Sequence, residues 1–142
     1  MEELLLSKYV MANLQNRESY AHLRVGQPKG FTYEQPAPQN VRQLYLSTLP
    51  EADLVVRDPS SATIYEFGIW RPQTKLGQLL VYKELLRLTP GFRDLKEESI
   101  RMVLVQPQED PVIEAIAKKY QVGYEVFPDP DVLYKIAARR GG

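Results

Sequence analysis

The sequence of 142 residues contains no cysteine and one histidine, His22. The absence of cysteine excludes disulfides, thiolate metal sites and cysteine nucleophiles, and one histidine leaves little basis for a multi-histidine metal site or a Ser-His-Asp triad. No apolar run approaches the ~20 residues of a membrane span, and the acidic start lacks the basic n-region of a signal peptide. We therefore expect a soluble, intracellular (cytoplasmic) protein with no membrane partner, in which carboxylates and lysines carry any chemistry.

The sequence also has no excess of positive or negative charge, since 18 basic side chains balance 18 acidic ones. A net charge of zero argues against a protein held on DNA or on an anionic membrane by bulk attraction, although it permits a local basic patch. Apolar residues make up 44% and charged residues 25%, as is typical of globular proteins. The length suits one domain, residues 1–142, with one core.

Hydrophobic periodicity predicts nine elements in the order α-β-β-β-α-β-α-β-α. The helices are predicted at residues 3–15, 73–88, 110–120 and 129–139, and the strands at 19–25, 52–56, 63–70, 100–105 and 123–127. Residues 31–40 are expected to form an irregular loop, and 41–49 has no clear pattern. A turn at 58–61 makes the second and third strands an antiparallel hairpin, whereas the later β-α-β connections require parallel strands. The predicted fold class is therefore α/β, with a mixed central sheet flanked by helices on both faces.

Two carboxylates occur in the predicted hairpin. Asp53 lies near the start of one strand, and Glu66 lies in the middle of the otherwise apolar partner strand. A carboxylate in such a place needs a partner or a bound cation, and two on adjacent strands can converge on a hard cation such as Mg²⁺. The alternative is an ion pair between Glu66 and Lys75 or a nearby arginine, since structural ion pairs outnumber metal sites.

The helix after the hairpin carries three polar side chains on one face. Lys75, Gln78 and Tyr82 follow an i, i+3, i+7 spacing, so we expect them to face a cleft beside Glu66, with Lys75 exposed at the helix start. The alternative for Gln78 and Tyr82 is an ordinary contact between helix and sheet.

Trp70 and Arg71 mark the end of the third predicted strand. An exposed tryptophan with an arginine suits stacking on a base or contact with a protein partner, so Arg71 is a candidate substrate-binding residue. A packed tryptophan with a surface arginine is the alternative. His22 is expected to be a solvated strand residue, and residues 139–142 a frayed end.

Taken in order, Asp53, Glu66 and the Gln78-x-x-x-Tyr82 helix resemble the PD-(D/E)XK nuclease superfamily, in particular its RecB-like branch. The family pattern is an aspartate at a strand start, Glu-x-Lys on the next strand and a Gln-x-x-x-Tyr helix, on a restriction-endonuclease-like αβββαβ core. The resemblance implies that Asp53 and Glu66 hold Mg²⁺ together with the main-chain carbonyl of Phe67. It also implies that a lysine orients or deprotonates the attacking water, and that Gln78 and Tyr82 position the nucleic-acid backbone.

The resemblance covers about residues 19–105 and departs from the family at position 68, where glycine replaces the lysine of Glu-x-Lys. A side chain at 68 shares a strand face with Glu66, so no adjacent strand residue can replace it. Either the lysine has migrated to the helix, with Lys75 as the catalytic candidate, or the site is silent and the fold is retained for binding. The acidic residue that such families often take from the first helix has no clear counterpart, and Glu18 is the candidate.

Two functions follow. The first is a protein derived from a Mg²⁺-dependent deoxyribonuclease, with DNA as its partner and with activity either kept or lost. The second is a non-catalytic nuclease-like scaffold that binds a protein, such as a phage head-tail or head-completion protein in a virion, or a regulator of a host enzyme. Zero net charge and Gly68 favour the second function, whereas the Asp53, Glu66 and Gln78-x-x-x-Tyr82 pattern favours the first.

Overall fold

The computed structural model describes residues 1–26 and 49–141. The elements are α1 (Glu2–Asn13), β1 (Glu18–Arg24), β2 (Glu51–Arg57), β3 (Ala62–Phe67), α2 (Pro72–Leu86), a 3₁₀ turn (Glu97–Ser99), β4 (Ile100–Gln106), α3 (Pro111–Lys119), β5 (Gly123–Val126) and α4 (Pro130–Gly141). All nine predicted helices and strands are present, with ends within three residues of the prediction. The loop expected at 31–40, and all but the last residue of the unassigned segment 41–49, lie outside the described residues.

The five strands form one mixed sheet in the order β1-β2-β3-β4-β5. The pairs β1-β2 and β2-β3 are antiparallel, and the pairs β3-β4 and β4-β5 are parallel. The hairpin turn is closed by a hydrogen bond from the Asp58 N–H to the Ser61 carbonyl at 2.9 Å. This topology confirms the predicted α/β fold class, and its first six main elements are consistent with a restriction-endonuclease-like core.

Each face of the sheet packs against two helices. One core, with Leu79 and Leu104 among its buried side chains, joins the sheet to α2 and α3. The other, with Leu5 and Phe67, joins it to α1 and α4. Burial of each such side chain contributes about 1.5–3 kcal/mol, so the two apolar faces hold the helices in place. In the described ranges, each helix is too short or too polar to cross a membrane.

Strand β1 is distorted at His22, whose φ of 56° lies in the left-handed region. The pairing between β1 and β2 skips His22 and the residue opposite it, Asp53. The predicted alternation is therefore broken, because Ala21 is exposed whereas Leu23 is partly buried. As expected, His22 is exposed, and its Nε2 lies 2.6 Å from a carboxylate oxygen of Glu3. A non-glycine residue in this conformation costs about 1 kcal/mol or more, so strain is held next to Asp53.

Strand β3 ends at Phe67, three residues earlier than predicted. Pro72 takes the first position of α2, where its missing N–H costs nothing. The chain must therefore turn out of the sheet over the preceding residues, and the N–H of Ile69 bonds to the Glu2 carboxylate of α1 at 3.2 Å. The early end of β3 places the first turn of α2 directly beside the last residues of the strand.

Candidate active site

Asp53 and Glu66 lie side by side where the regular pairing of β2 with β3 ends. The last paired residues at this end are Leu54 and Tyr65. Beyond them, Oε2 of Glu66 accepts a hydrogen bond from the Asp53 N–H at 2.6 Å, and Oδ2 of Asp53 accepts one from the Phe67 N–H at 2.9 Å. The expected convergence of the two carboxylates is thus present, and reciprocal bonds between side chain and main chain maintain it.

Lys75 on α2 reaches both carboxylates. Its Nζ lies 3.1 Å from Oδ2 of Asp53 and 3.8 Å from Oε1 of Glu66. The side chain crosses over Gly68 to do so. It is only 19% exposed, so the expectation of an exposed lysine at the helix start is wrong. The structure therefore assembles a lysine and two carboxylates from three different elements.

Glu66 is the most deeply buried member of this group. Its side chain is 1% exposed, and within the described part of the chain Oε1 has no hydrogen-bond partner. Burial and the nearby charge of Asp53 raise the pKa of Glu66 to about 8. Burial alone would lower the pKa of Lys75, but the carboxylates of Asp53 and Glu66 raise it above its usual value. The group thus contains a lysine whose charged form is favoured and a glutamate whose charged form is disfavoured.

Gln78 and Tyr82 are placed differently from each other. Gln78 is half-buried and lines a cleft of about 280 Å³. The other residues that line this cleft are Glu2, Trp70, Arg71, Thr74 and Lys75. Tyr82 is buried in the core on the α2 side of the sheet, where burial and the charge of Glu66 raise its pKa. The structure therefore brings Gln78 to the cleft, whereas Tyr82 is a core residue close to Glu66.

Glu2 is an acidic residue at the site that the sequence reasoning missed. It lies in the first turn of α1, lines the cleft, and adds to the raised pKa of Glu66. Glu18, the candidate for this role, is exposed on β1. Its strand partner is Arg57, at the end of β2 opposite to Asp53, so that assignment is wrong. The available signal was the pair of glutamates in the first turn of α1, which is a favourable place for negative charge.

Arg71 and Trp70 lie at the rim of the cleft. Arg71 precedes the first residue of α2 and is exposed, and Trp70 is 37% exposed. Arg139 and Arg140 belong to α4, and their guanidinium carbons lie 4.9 Å and 5.4 Å from the centre of the Trp70 indole. The expectation of a frayed end is therefore wrong for residues 139–141, because these residues are helical and two of them contact Trp70.

The residues present fit a hard divalent cation in charge and ligand type. Oε1 of Glu66 is a buried oxygen with no hydrogen bond from any described residue. The neighbouring Asp53 side chain is 18% exposed, so the pair of carboxylates is reached from solvent. The ring of Phe67 is buried, so this residue could offer a cation only its main-chain carbonyl oxygen, while its N–H donates to Asp53. In residues 1–26 and 49–141, no three His, Asp or Glu side chains are grouped to hold a metal. A cation here would therefore depend on two carboxylates with main-chain and water oxygens, a ligand set that Mg²⁺ accepts.

No family model and no curated protein matches the sequence. The structure is similar to the chain in the EndoMS–dsDNA2 complex, at 14% identity and a TM-score of 0.47, over 89% of this chain and 45% of that one. It is also similar to a repair endonuclease from Pyrococcus abyssi, at 13% identity and a TM-score of 0.46, over 89% of this chain and 47% of that one. The chain thus spans just under half the length of each of these proteins. Both similarities concern the fold.

Proposed function

We propose that this chain is a Mg²⁺-dependent phosphodiester hydrolase that acts on DNA, with Lys75 in the role of the lysine missing at position 68. The observation that carries the proposal is the position of the Lys75 Nζ, 3.1 Å from Asp53 and 3.8 Å from Glu66. The side chain comes from α2 and crosses over Gly68 to reach them. This arrangement supports a migrated lysine over a silent site.

Oε1 of Glu66 receives no hydrogen bond from the described residues, and this argues against a purely structural ion pair. An ion pair that only stabilises the fold gains most when every buried carboxylate oxygen is hydrogen-bonded, since an unsatisfied buried group costs about 1–3 kcal/mol. Oε1 of Glu66 is buried, and within the described residues only Lys75, at 3.8 Å, offers it a charge partner. When Glu66 is ionised, this oxygen is suited to bind a cation.

Each residue of the group would have a distinct part in hydrolysis. A bound Mg²⁺ would offset charge on the scissile phosphate and lower the pKa of a water molecule. Asp53 fixes the Lys75 ammonium by a hydrogen bond, and a remaining N–H of Lys75 can donate to the attacking water or to a phosphate oxygen. Gln78 and Arg71 at the cleft can donate to the flanking phosphates.

The test is cleavage of end-labelled single-stranded and double-stranded DNA by the purified protein, with Mg²⁺, with Mn²⁺ and with EDTA. The variants are Glu66→Gln and Lys75→Met, which keep the side-chain length while removing the charge. Lys83→Met, about two turns further along α2, is the matched control. We expect metal-dependent cleavage by the wild type and the control, and a loss of about 100-fold or more in the other two variants.

Calorimetric titration of the same proteins with Mg²⁺ shows whether a variant has lost the metal or only the activation of water. Glu66→Gln should lose the binding heat, whereas Lys75→Met should retain it. Wild-type protein that cleaves neither substrate with either metal would overturn the proposal and support the non-catalytic scaffold that binds a protein partner.

A further inference from the structure

Three arginines adjoin the single tryptophan of the sequence at the rim of the candidate active site. Arg71 follows Trp70 in the chain, while Arg139 and Arg140 approach its ring from α4. The indole is 37% exposed, so part of its surface remains open to a ligand. The contact of Trp70 with Arg139 and Arg140 joins two segments that are far apart in the sequence. Together these side chains form a mixed aromatic and cationic surface.

In the part of the chain that the structure describes, the arginines of this surface are not paired with carboxylates, although Glu2 lines the same cleft as Arg71. Within the described residues, none of Arg71, Arg139 and Arg140 has a carboxylate oxygen at ion-pair distance. Glu109 and Asp110 line an adjoining cleft together with Arg140 without reaching that distance. In a chain of zero net charge, such a cluster is a local basic patch that attracts an anionic ligand.

We infer that Trp70 and these arginines form a subsite for an unpaired nucleotide of single-stranded DNA next to the scissile phosphate. DNA as the ligand class rests on the proposed function, and the unpaired state follows from the tryptophan. An indole stacks on the free face of a base, and arginines beside it bind the adjacent phosphates, which is how many proteins hold single strands. The cleft that contains Trp70 also contains Lys75 and Gln78, so a strand bound on the indole can continue to the candidate catalytic lysine.

The single tryptophan makes the subsite directly observable. Titration of the protein with a short oligothymidylate in EDTA should quench the fluorescence of Trp70, whereas a duplex closed by hairpin loops at both ends should quench it less. By anisotropy of a labelled oligothymidylate, Trp70→Ala should lower the affinity about fivefold or more, and Trp70→Phe should lower it less. Circular dichroism of each variant checks the fold.

The arginines are tested by the salt dependence of binding. Arg139→Gln/Arg140→Gln should weaken binding and reduce the slope of log K against log salt by about 1.4, which corresponds to two phosphate contacts with a single strand. The double variant Lys118→Gln/Lys119→Gln removes the same charge from the end of α3 and is the matched control. A loss no larger than in this control, or equal affinity of the wild type and Trp70→Ala, would overturn the inference.

The cleavage assay distinguishes failure of this inference from failure of the proposed function. If single-stranded DNA binds through Trp70 without metal-dependent cleavage, the hydrolase proposal fails and the subsite stands. If the wild type cleaves DNA and Trp70→Ala binds and cleaves single strands equally well, the hydrolase stands and the subsite fails. Binding of a protein at Trp70 with no quenching by oligothymidylate would also overturn the subsite.

Discussion

The side chain of Lys75 lies across Gly68, with its Cγ 3.4 Å from the point that a Cβ at position 68 would occupy. The same point is 3.2 Å from Cα of Pro72 and 3.4 Å from Cδ1 of Leu104. The absence of a side chain at 68 thus allows the start of α2 to approach β3 closely enough for the lysine to reach both carboxylates. The glycine at position 68 and the position of Lys75 therefore belong to one arrangement.

We predict that Gly68→Ala lowers the free energy of unfolding by on the order of 1–3 kcal/mol, since the closest contact of the new Cβ is a main-chain atom of α2. Gly68→Lys should be less stable still and should reduce cleavage, because it pushes Lys75 away. Gly77→Ala is the control. Among the described residues, its Cβ would meet nothing within 4 Å, and in a helix the change should stabilise by up to about 1 kcal/mol. Urea unfolding and the cleavage assay measure both effects, and a stable, more active Gly68→Lys would contradict this account.

A double-mutant cycle should show strong coupling between Lys75 and Glu66. Lys75→Met alone leaves the carboxylates of Asp53 and Glu66 without the ammonium group between them. In the Glu66→Gln background, the same substitution removes an ammonium group that faces only one charged carboxylate, that of Asp53. We expect a coupling energy on the order of 1–3 kcal/mol by urea unfolding near pH 9. The coupling should shrink near pH 6, where Glu66 is protonated. Additive effects at both pH values would show that the two side chains do not interact.

Stability should depend on pH through Glu66. Its pKa of about 8 in the folded chain exceeds the usual value of 4.5, so between these values the folded state retains a proton that the unfolded state releases. Stability from this group is therefore present below pH 4.5 and is lost as the pH rises towards 8. Relative to the wild type, Glu66→Gln should gain stability on the order of 3 kcal/mol between about pH 5 and pH 8. Urea unfolding at several pH values measures this gain, and parallel profiles for the two proteins would contradict the burial of an ionisable Glu66.

The left-handed conformation of His22 predicts that asparagine is favoured over valine at this strand position. Valine usually favours strands, but a β-branched residue tolerates a φ of 56° poorly, whereas asparagine tolerates it well. His22→Val should therefore be less stable than His22→Asn by about 1 kcal/mol or more. Because both variants lose the imidazole contacts with Glu3 and Glu51, the difference between them reports chiefly on the main chain. Equal stability in urea unfolding, or a more stable valine variant, would contradict the distortion in β1.

The predictable part of the fold is the part that local sequence determines. The apolar spacing of Leu76, Leu79 and Leu86 follows the helical period, and these residues form the buried face of α2. The turn residues at 58–61 sufficed to identify the hairpin, and with it the approach of the two carboxylates. Periodicity and turn chemistry act over a few residues, so they can be read without knowledge of the tertiary structure.

The features that the sequence does not predict depend on contacts between distant segments of the chain. The position of Glu2 at the cleft depends on how α1 packs against the sheet, and the stacking of Arg139 on Trp70 depends on α4. The alternation around His22 is that of an ordinary strand, so nothing local indicates its left-handed main chain. The sequence indicates Lys75 as a candidate, but the burial of its side chain follows from the close approach of α2 over Gly68, which no spacing rule contains.

The reciprocal hydrogen bonds between Asp53 and the end of β3 give the two carboxylates a structural role as well. One oxygen of each side chain replaces a missing hydrogen bond between strands, so Asp53 and Glu66 hold the end of the hairpin together whether or not the chain cleaves anything. Asparagine and glutamine offer the same accepting oxygen without the charge. Under the proposed function, a relative that no longer cleaves DNA could exchange these acids for amides, or lose Lys75, and still keep the hairpin. Among relatives of this chain, an acid-to-amide exchange at these two positions would then mark proteins that lack the proposed activity.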